Sequence, residues 1–308
     1  MAIDPLYAEA RPARTRHLAV RNVRYQLREW GDASLETPER PLLVHTHGWM
    51  DVGASFQFVV DALCRVEGAT RHVVAPDWRG FGGSTGGAVD AFWFHDYVGD
   101  LDAALDALSP GAPVDLAGHS MGGNVVMNYA GVRPARVRRL VNLEGFGLPD
   151  TRPEQAPDRL AKWLDELKET PSLRSYATLD EVAARLRGNN PRLAADKADW
   201  LAPHWSERRD DGRWHILADP AHKLTNPVPY RAAEIVAAWR RIAAPLLWVE
   251  GANTTVSKIW GDRYPRAEFE ERLAQVPRVE RLLLADCGHM LHHDQPDAVA
   301  QRLATFLA

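Results

Sequence analysis

Gly118-His119-Ser120-Met121-Gly122-Gly123 contains the pattern Gly-x-Ser-x-Gly, directly after the apolar run Val114 to Ala117 and before the helical stretch Asn124 to Ala130. Strand, sharp turn and helix in that order are the setting in which a serine hydroxyl is presented as a nucleophile. The turn is tight enough that the residues two before and two after the serine must be small, a condition met by Gly118 and Gly122. Ser120 then stands above the sheet edge in a strained conformation, and the Met121 N–H, at a helix N-terminus, can stabilise negative charge. The bland alternative is a structural turn; the flanking strand and helix favour the chemical reading.

A serine hydroxyl is a weak nucleophile until a base takes its proton. Asp286-Cys287-Gly288-His289-Met290 offers His289 on the loop after a late strand, Glu280 to Leu284. Twelve histidines occur in the chain, and His289 is favoured among them by position, since the order serine, acid, histidine requires a late base. His292 and His293 follow within a turn and are expected to face solvent or the inserted segment described below. A second donor for a developing oxyanion is expected from His47-Gly48-Trp49-Met50-Asp51, after the run Leu42 to His45, with the Trp49 N–H joining that of Met121. The alternative for this stretch is an ordinary loop with an exposed tryptophan.

These residues need a sheet to hold them. His17 to Val20 and Val23 to Arg28 read as an opening hairpin across Arg21-Asn22. Short apolar runs then alternate with helical segments: Leu42 to His45, Phe56 to Arg65, His72 to Ala75, Tyr97 to Leu108, Val114 to Ala117 and Val137 to Leu143. Such alternation implies crossover units and a buried, mostly parallel sheet. It stops after Gly147, and Leu148 to about Val228 shows helical stretches at Asp158 to Lys168, Leu179 to Arg187 and Leu193 to Leu201 without a strong strand signal. The rhythm resumes with Tyr230 to Arg241, Pro245 to Glu250, Arg266 to Gln275, Glu280 to Leu284 and Asp297 to Phe306. The expected division is a sheet domain in two parts, 1–147 and 229–308, with a helical insertion at 148–228. Trp163, Trp200, Trp205 and Trp214 in the insertion, and Phe92-Trp93-Phe94 before it, are expected to be mostly core, with a minority lining a pocket for an apolar substrate.

Composition narrows the classes further. Hydrophobic residues at 45% and charged residues at 25% exclude a disordered, collagenous or coiled-coil chain. A net charge of -4, from 37 basic and 41 acidic residues, leaves no electrostatic footprint for nucleic acid or an anionic membrane. Cys64 and Cys287 cannot form a disulfide framework. Met1 to His17 lacks a signal-peptide core, and no apolar stretch spans a membrane, so a cytoplasmic protein is expected. No cluster has the sequence spacing of metal ligands. No metal or cofactor is expected, and a chelator is expected to leave activity unchanged.

Taken together, His47-Gly48-Trp49, Asp77-Trp78-Arg79-Gly80-Phe81-Gly82-Gly83-Ser84, Gly118 to Gly123 and Gly288-His289 resemble the α/β-hydrolase superfamily, and His47 to Phe56 resembles its serine-hydrolase-like branch. The resemblance implies an eight-stranded, mostly parallel sheet with flanking helices and a helical cap after the sixth strand. By the same likeness, Asp77 to Ser84 is a structural turn in which Asp77 and Arg79 tie the loop. Family members commonly carry the triad acid past a glycine after the seventh strand, but Gly251-Ala252-Asn253-Thr254-Thr255 has no carboxylate. Some relatives take the acid from the end of the sixth strand, where this chain has Glu144. A buried carboxylate there is costly without a partner, so Glu144 is the expected acid, with Asp262 and Glu250 in reserve and Asp286 too near His289 in the chain to reach its far nitrogen.

The expectation is a cofactor-independent carboxylesterase acting on a small to medium apolar ester, with Ser120, His289 and Glu144 as the triad. Carbon-carbon bond hydrolysis, perhydrolase or cofactor-free oxygenase chemistry on the same residues, and a slow-turnover ligand receptor, are the alternatives. Acyl and alcohol groups, pathway and oligomeric state are left open.

Overall fold

A computed structural model describes residues 6–87, 89–169, 171–255 and 260–308. Its framework is an eight-stranded sheet. In chain order the strands are β1 (Arg14–Val20), β2 (Val23–Trp30), β3 (Leu43–Thr46), β4 (Val73–Pro76), β5 (Val114–His119) and β6 (Val137–Leu143). Three short strands of the insertion follow, β7 (Ser175–Tyr176), β8 (Ser206–Arg208) and β9 (Trp214–Ile216), and then β10 (Leu246–Gly251) and β11 (Val279–Leu284). The large sheet runs in the order β1-β2-β4-β3-β5-β6-β10-β11. β2 is antiparallel to β1 and β4, and the other pairings are parallel.

The central strands explain their own position. All residues of β3, β4, β5 and β10 are buried, as expected of Val- and Leu-rich runs covered on both faces. The edge strands β1 and β11 are mostly exposed. Helices α1 (Gln57–Glu67) and Pro296–Phe306 cover one face, joining Phe56, Val59, Leu63, Leu303 and Phe306 to Leu43, Val141 and Val249. Helices α2 (Phe94–Leu108), α3 (Met121–Val132) and α7 (Ala232–Trp239) cover the other. This two-faced burial holds the carboxyl ends of β3, β5, β6 and β10 in one row.

Between β6 and α7 the chain forms α4 (Ala156–Glu166), α5 (Leu179–Asn189) and α6 (Ala195–Trp205). It also forms a three-stranded sheet, β7-β9-β8, that the sequence reading did not anticipate. Two- and three-residue strands are too short to show a period, and the β8–β9 hairpin depends on Gly212 at φ 76°. Val52, Ala54 and Phe58 share a buried cluster with Val182, Leu186, Leu193 and Leu201 of the insertion. Trp205 Nε1 donates to Asp51 Oδ1 at 3.2 Å and Asn190 Nδ2 to Asp294 Oδ1 at 2.8 Å. The insertion therefore contacts the loops after β3 and β11, at the carboxyl ends of the strands.

Residues 1–5 of the polar leader lie outside the described residues. The rest is tied down: Tyr7 donates to Asp61 at 2.7 Å, and Glu9 accepts from Trp200 Nε1 at 2.9 Å. Among the described residues, no helix is long and apolar enough to cross a membrane.

Candidate active site

Ser120 follows β5 and caps α3 with φ 52° and ψ −115°, a conformation L-residues rarely hold. Packing enforces it. A Cβ on Gly118 would run into the Gly122 carbonyl, and one on Gly122 into the Thr46 carbonyl. The Ser120 N–H donates to the Leu143 carbonyl at 2.8 Å, and the Ser120 carbonyl accepts from Asn124 N–H at 3.0 Å. The elbow is thereby locked to the end of β6. Met121 is the first residue of α3, so its N–H has no intrahelical acceptor.

Glu144, one residue past β6, is also left-handed, with φ 57°, and is 1% exposed. That turn of the backbone sends its carboxylate toward the loop after β11. Glu144 Oε2 lies 2.7 Å from His289 Nδ1 and accepts from Thr254 Oγ1 at 2.7 Å, while Oε1 accepts from the Gly251 N–H at 2.8 Å. With Nδ1–H donating to Glu144, His289 keeps Nε2 for other partners, and its side chain is 30% exposed. The carboxylates held in reserve are engaged elsewhere. Glu250 binds Arg266 at 2.5 Å and accepts from Trp248 Nε1 at 3.3 Å. Asp262 is exposed in the turn Gly261–Arg263, the preceding Ile259 lying outside the described residues, and Asp286 is exposed.

On the loop after β3, Trp49 is 53% exposed and Met50 is left-handed at φ 55°. His47 anchors this loop. Its Nε2 accepts from the Trp78 N–H at 2.8 Å, which leaves the proton on Nδ1 to donate to the Gly48 carbonyl at 2.7 Å. Burial pushes His47 below the ordinary histidine range, consistent with that neutral tautomer. Asp77 Oδ1 accepts from Gly53 N–H at 2.7 Å and Oδ2 from Gly83 N–H at 2.8 Å. Arg79 grips Asp100 with two bonds of 2.6 and 2.7 Å. Both residues tie the loop after β4, the role the sequence suggested.

Of the two surroundings expected for His292 and His293, solvent is excluded, since they are 0% and 4% exposed, while His293 packs on Phe58, which joins the insertion's buried cluster. The short helix Leu291–Asp294 turns them inward, His292 stacking on Phe56 at 5.0 Å between centroids and His293 meeting Phe58 edge-on at 5.8 Å. The fold also brings together ligand-type residues that are far apart in the sequence. One atom each from Asp51, His119 and His292 lie within 4.8 Å of one another, all buried. They come from the loop after β3, the end of β5 and the short helix Leu291–Asp294, so no local spacing could have revealed them.

A cavity of about 620 Å³ lies between the loop after β4 and the insertion, lined by Arg28, Asp77, Arg79, Phe92, His204 and Asp219 among others. Of the aromatics singled out in the sequence, Phe92 lines this cavity, while Trp93 and Trp163 line a second of about 590 Å³.

The sequence matches the model of the alpha/beta hydrolase family over residues 42–302. A 3-hydroxybutyrate-oligomer hydrolase of Cupriavidus necator is 29% identical over 287 residues, covering 88% of this chain and 89% of the relative. A serine hydrolase-like protein of Danio rerio is 25% identical over 288 residues, covering 87% and 81%. Among solved structures, a thioesterase domain from the curacin biosynthetic pathway superposes with a TM-score of 0.79 at 24% identity, covering 95% of this chain and 99% of that one.

Proposed function

The chain belongs to the alpha/beta hydrolase family, and from that premise we propose that it is a serine carboxylesterase acting through an acyl-enzyme on a small to medium apolar ester. The observation that carries this reading is the Glu144–His289 pair at 2.7 Å, together with a serine held at φ 52° at the end of β5. Ser120 Oγ attacks the ester carbonyl while His289 Nε2 takes its proton. The oxyanion is met by the Met121 and Trp49 N–H groups. Collapse expels the alcohol with the proton from His289, and a water, deprotonated by the same nitrogen, releases the acid and restores Ser120. Glu144 orients the imidazole and stabilises its cation; with both of its oxygens engaged by Gly251 and Thr254 it cannot swing away. The inserted segment serves as a lid, a role supported by its contacts to the loops after β3 and β11.

These steps use no metal or cofactor. A second reading, hydrolysis of short hydroxyacid ester oligomers, is favoured by the likeness to the Cupriavidus necator relative across most of both chains. A fluorophosphonate probe should label the protein on Ser120, and nitrophenyl esters of increasing acyl length, run beside hydroxybutyrate oligomers, should separate the two substrate classes. Labelling that survives Ser120→Ala, or absence of turnover on every ester, would overturn the proposal.

A further inference from the structure

Buried polar atoms of three side chains converge in the protein interior without a hydrogen-bond partner among the described residues. Asp51 Oδ1 is fully used, accepting from the Val52 N–H at 2.9 Å, from Trp205 Nε1 at 3.2 Å and from Ser55 Oγ, whereas the buried Oδ2 makes no hydrogen bond among the described residues. His119 Nε2 lies 2.8 Å from the His289 carbonyl, which can only accept, so Nε2 carries the proton. Its Nδ1 is then a bare lone pair, buried and unbonded among the described residues. His292 is wholly buried, and neither of its ring nitrogens has a hydrogen-bond partner there. Its Nε2 stands 3.6 Å from Asp51 Oδ2, too far for a hydrogen bond.

We propose that Asp51, His119 and His292 form a buried site for one divalent transition-metal cation of the Zn²⁺ class. Two imidazoles and a carboxylate are a donor set that such cations take, leaving a fourth position for a water. The spacing fits once the ligands draw inward by less than about 1 Å. Ligand atoms no more than 4.8 Å apart share a point within about 2.8 Å of all three, and Zn²⁺ binds nitrogen and carboxylate oxygen at roughly 2.0–2.2 Å. The 3.6 Å edge between His292 and Asp51 is close to the roughly 3.3 Å edge of a tetrahedral zinc site. Supporting groups already fix the ligands: the His289 carbonyl sets the His119 tautomer, Phe56 stacks on His292, and three donors hold Asp51.

The cation has a structural effect rather than a part in the chemistry. Its ligands sit two residues past Trp49, next to Ser120, and three residues past His289, so binding clamps together three segments that carry or adjoin candidate site residues. The site does not depend on the esterase reading, because no ligand is a residue assigned to that mechanism.

The test is to unfold the whole protein in chelator and refold it with or without Zn²⁺ or Co²⁺. Bound metal is counted after gel filtration, and the ligand-field absorption of Co²⁺ and the thermal midpoint are recorded. Wild type is expected to retain one equivalent, to show a low-symmetry Co²⁺ spectrum and to melt higher with metal than without. Asp51→Asn, which keeps the Oδ1 acceptor, and His292→Gln should weaken binding more than about 100-fold, beyond the 10- to 100-fold typical of losing a supporting group. Ser120→Ala and His289→Ala should bind metal as wild type does while losing esterase turnover, which separates failure of this site from failure of the proposed function. A natively folded wild type that retains no metal would overturn the inference in favour of a bound water or a proton on His292. Binding lost in His289→Ala would overturn it in favour of metal at the exposed histidine. If the Asp51 and His292 variants do not fold, the wild-type stoichiometry and spectrum still decide.

Discussion

Four of the five non-glycine residues with positive φ among the described residues, Met50, Ser120, Glu144 and Asp286, sit where β3, β5, β6 and β11 give way to loops. Each such conformation costs on the order of 1–3 kcal/mol and persists only where surrounding packing enforces it. At Ser120 and Glu144 the strain aims a hydroxyl and a carboxylate, so the strain belongs to the backbone and survives replacement of either side chain. Ser120→Ala is accordingly expected to abolish turnover and fluorophosphonate labelling while leaving the melting temperature nearly unchanged. A collapse of the fold would contradict that account of the elbow. Glu144→Gln keeps the shape but gives up the charge that stabilises the His289 cation and the acceptor that fixes its tautomer. A loss of roughly 10⁴-fold in kcat is the serine-protease precedent for the corresponding change. Asp262→Asn, at an exposed carboxylate, should cost almost nothing, and the opposite ranking would move the acid role away from Glu144. Glu144 stands out in the sequence because the loop from Gly251 to Thr255 lacks a carboxylate. What the sequence could not tell is that this same loop supplies the Gly251 and Thr254 donors that hold Glu144, since a backbone N–H and a threonine have no distinctive pattern.

At the scale of elements, legibility followed length and burial. The sequence places β6 at the ends observed and the other sheet strands to within a few residues, the central ones because they are apolar runs between helices and β1 and β2 because they flank the Arg21-Asn22 turn. β7, β8 and β9 were invisible for want of length, and nothing in the polar run before β1 signals that Tyr7 and Glu9 fasten it to Asp61 and Trp200. For His292 and His293 the sequence left solvent and the insertion both open, because the four-residue helix that turns them inward is too short to show a period. The loop after β4 shows how an element is positioned by charge rather than by packing. Asp100, wholly buried on α2, accepts from Arg79 twice, from Tyr25 at 2.5 Å and from Arg21 at 3.0 Å. Removing one partner of a buried pair leaves the other charge uncompensated, typically at a cost of about 3–5 kcal/mol. Asp100→Ala should therefore lower unfolding stability by that order, measured by urea titration, and disturb the loop that also lines the 620 Å³ cavity. A loss below about 1 kcal/mol would mean that the pair does not organise the loop.

Over the whole molecule, a two-faced sheet with an insertion packed on its carboxyl edge encloses several histidines, and enclosure changes how stability responds to acid. His45 lies in the core, stacked on Phe56 at 4.6 Å between centroids, and His222 is sandwiched between Phe81 at 3.9 Å and Phe92 at 3.6 Å. Burial lowers both from an ordinary 6.5 to about 3. Between those values the unfolded chain takes up protons at these positions and the folded protein does not. Stability therefore rises with pH across that window and falls as the solution is acidified, whereas above about pH 7 neither histidine contributes a dependence. Each such group can contribute up to about 1.4 kcal/mol per pH unit once the unfolded state is protonated. The interval from about pH 6.5 to 5 isolates this effect, because carboxylates with ordinary pKa values of about 4 titrate mainly below it. His222→Phe removes one titrating ring while keeping an aromatic face between Phe81 and Phe92. Urea unfolding at pH 7, 6 and 5 should then show a steep loss of stability for wild type and a shallower one for the variant, the two differing by about one histidine's share. Equal slopes would mean that His222 takes up its proton in the folded state, and that the aromatic sandwich does not exclude the charge.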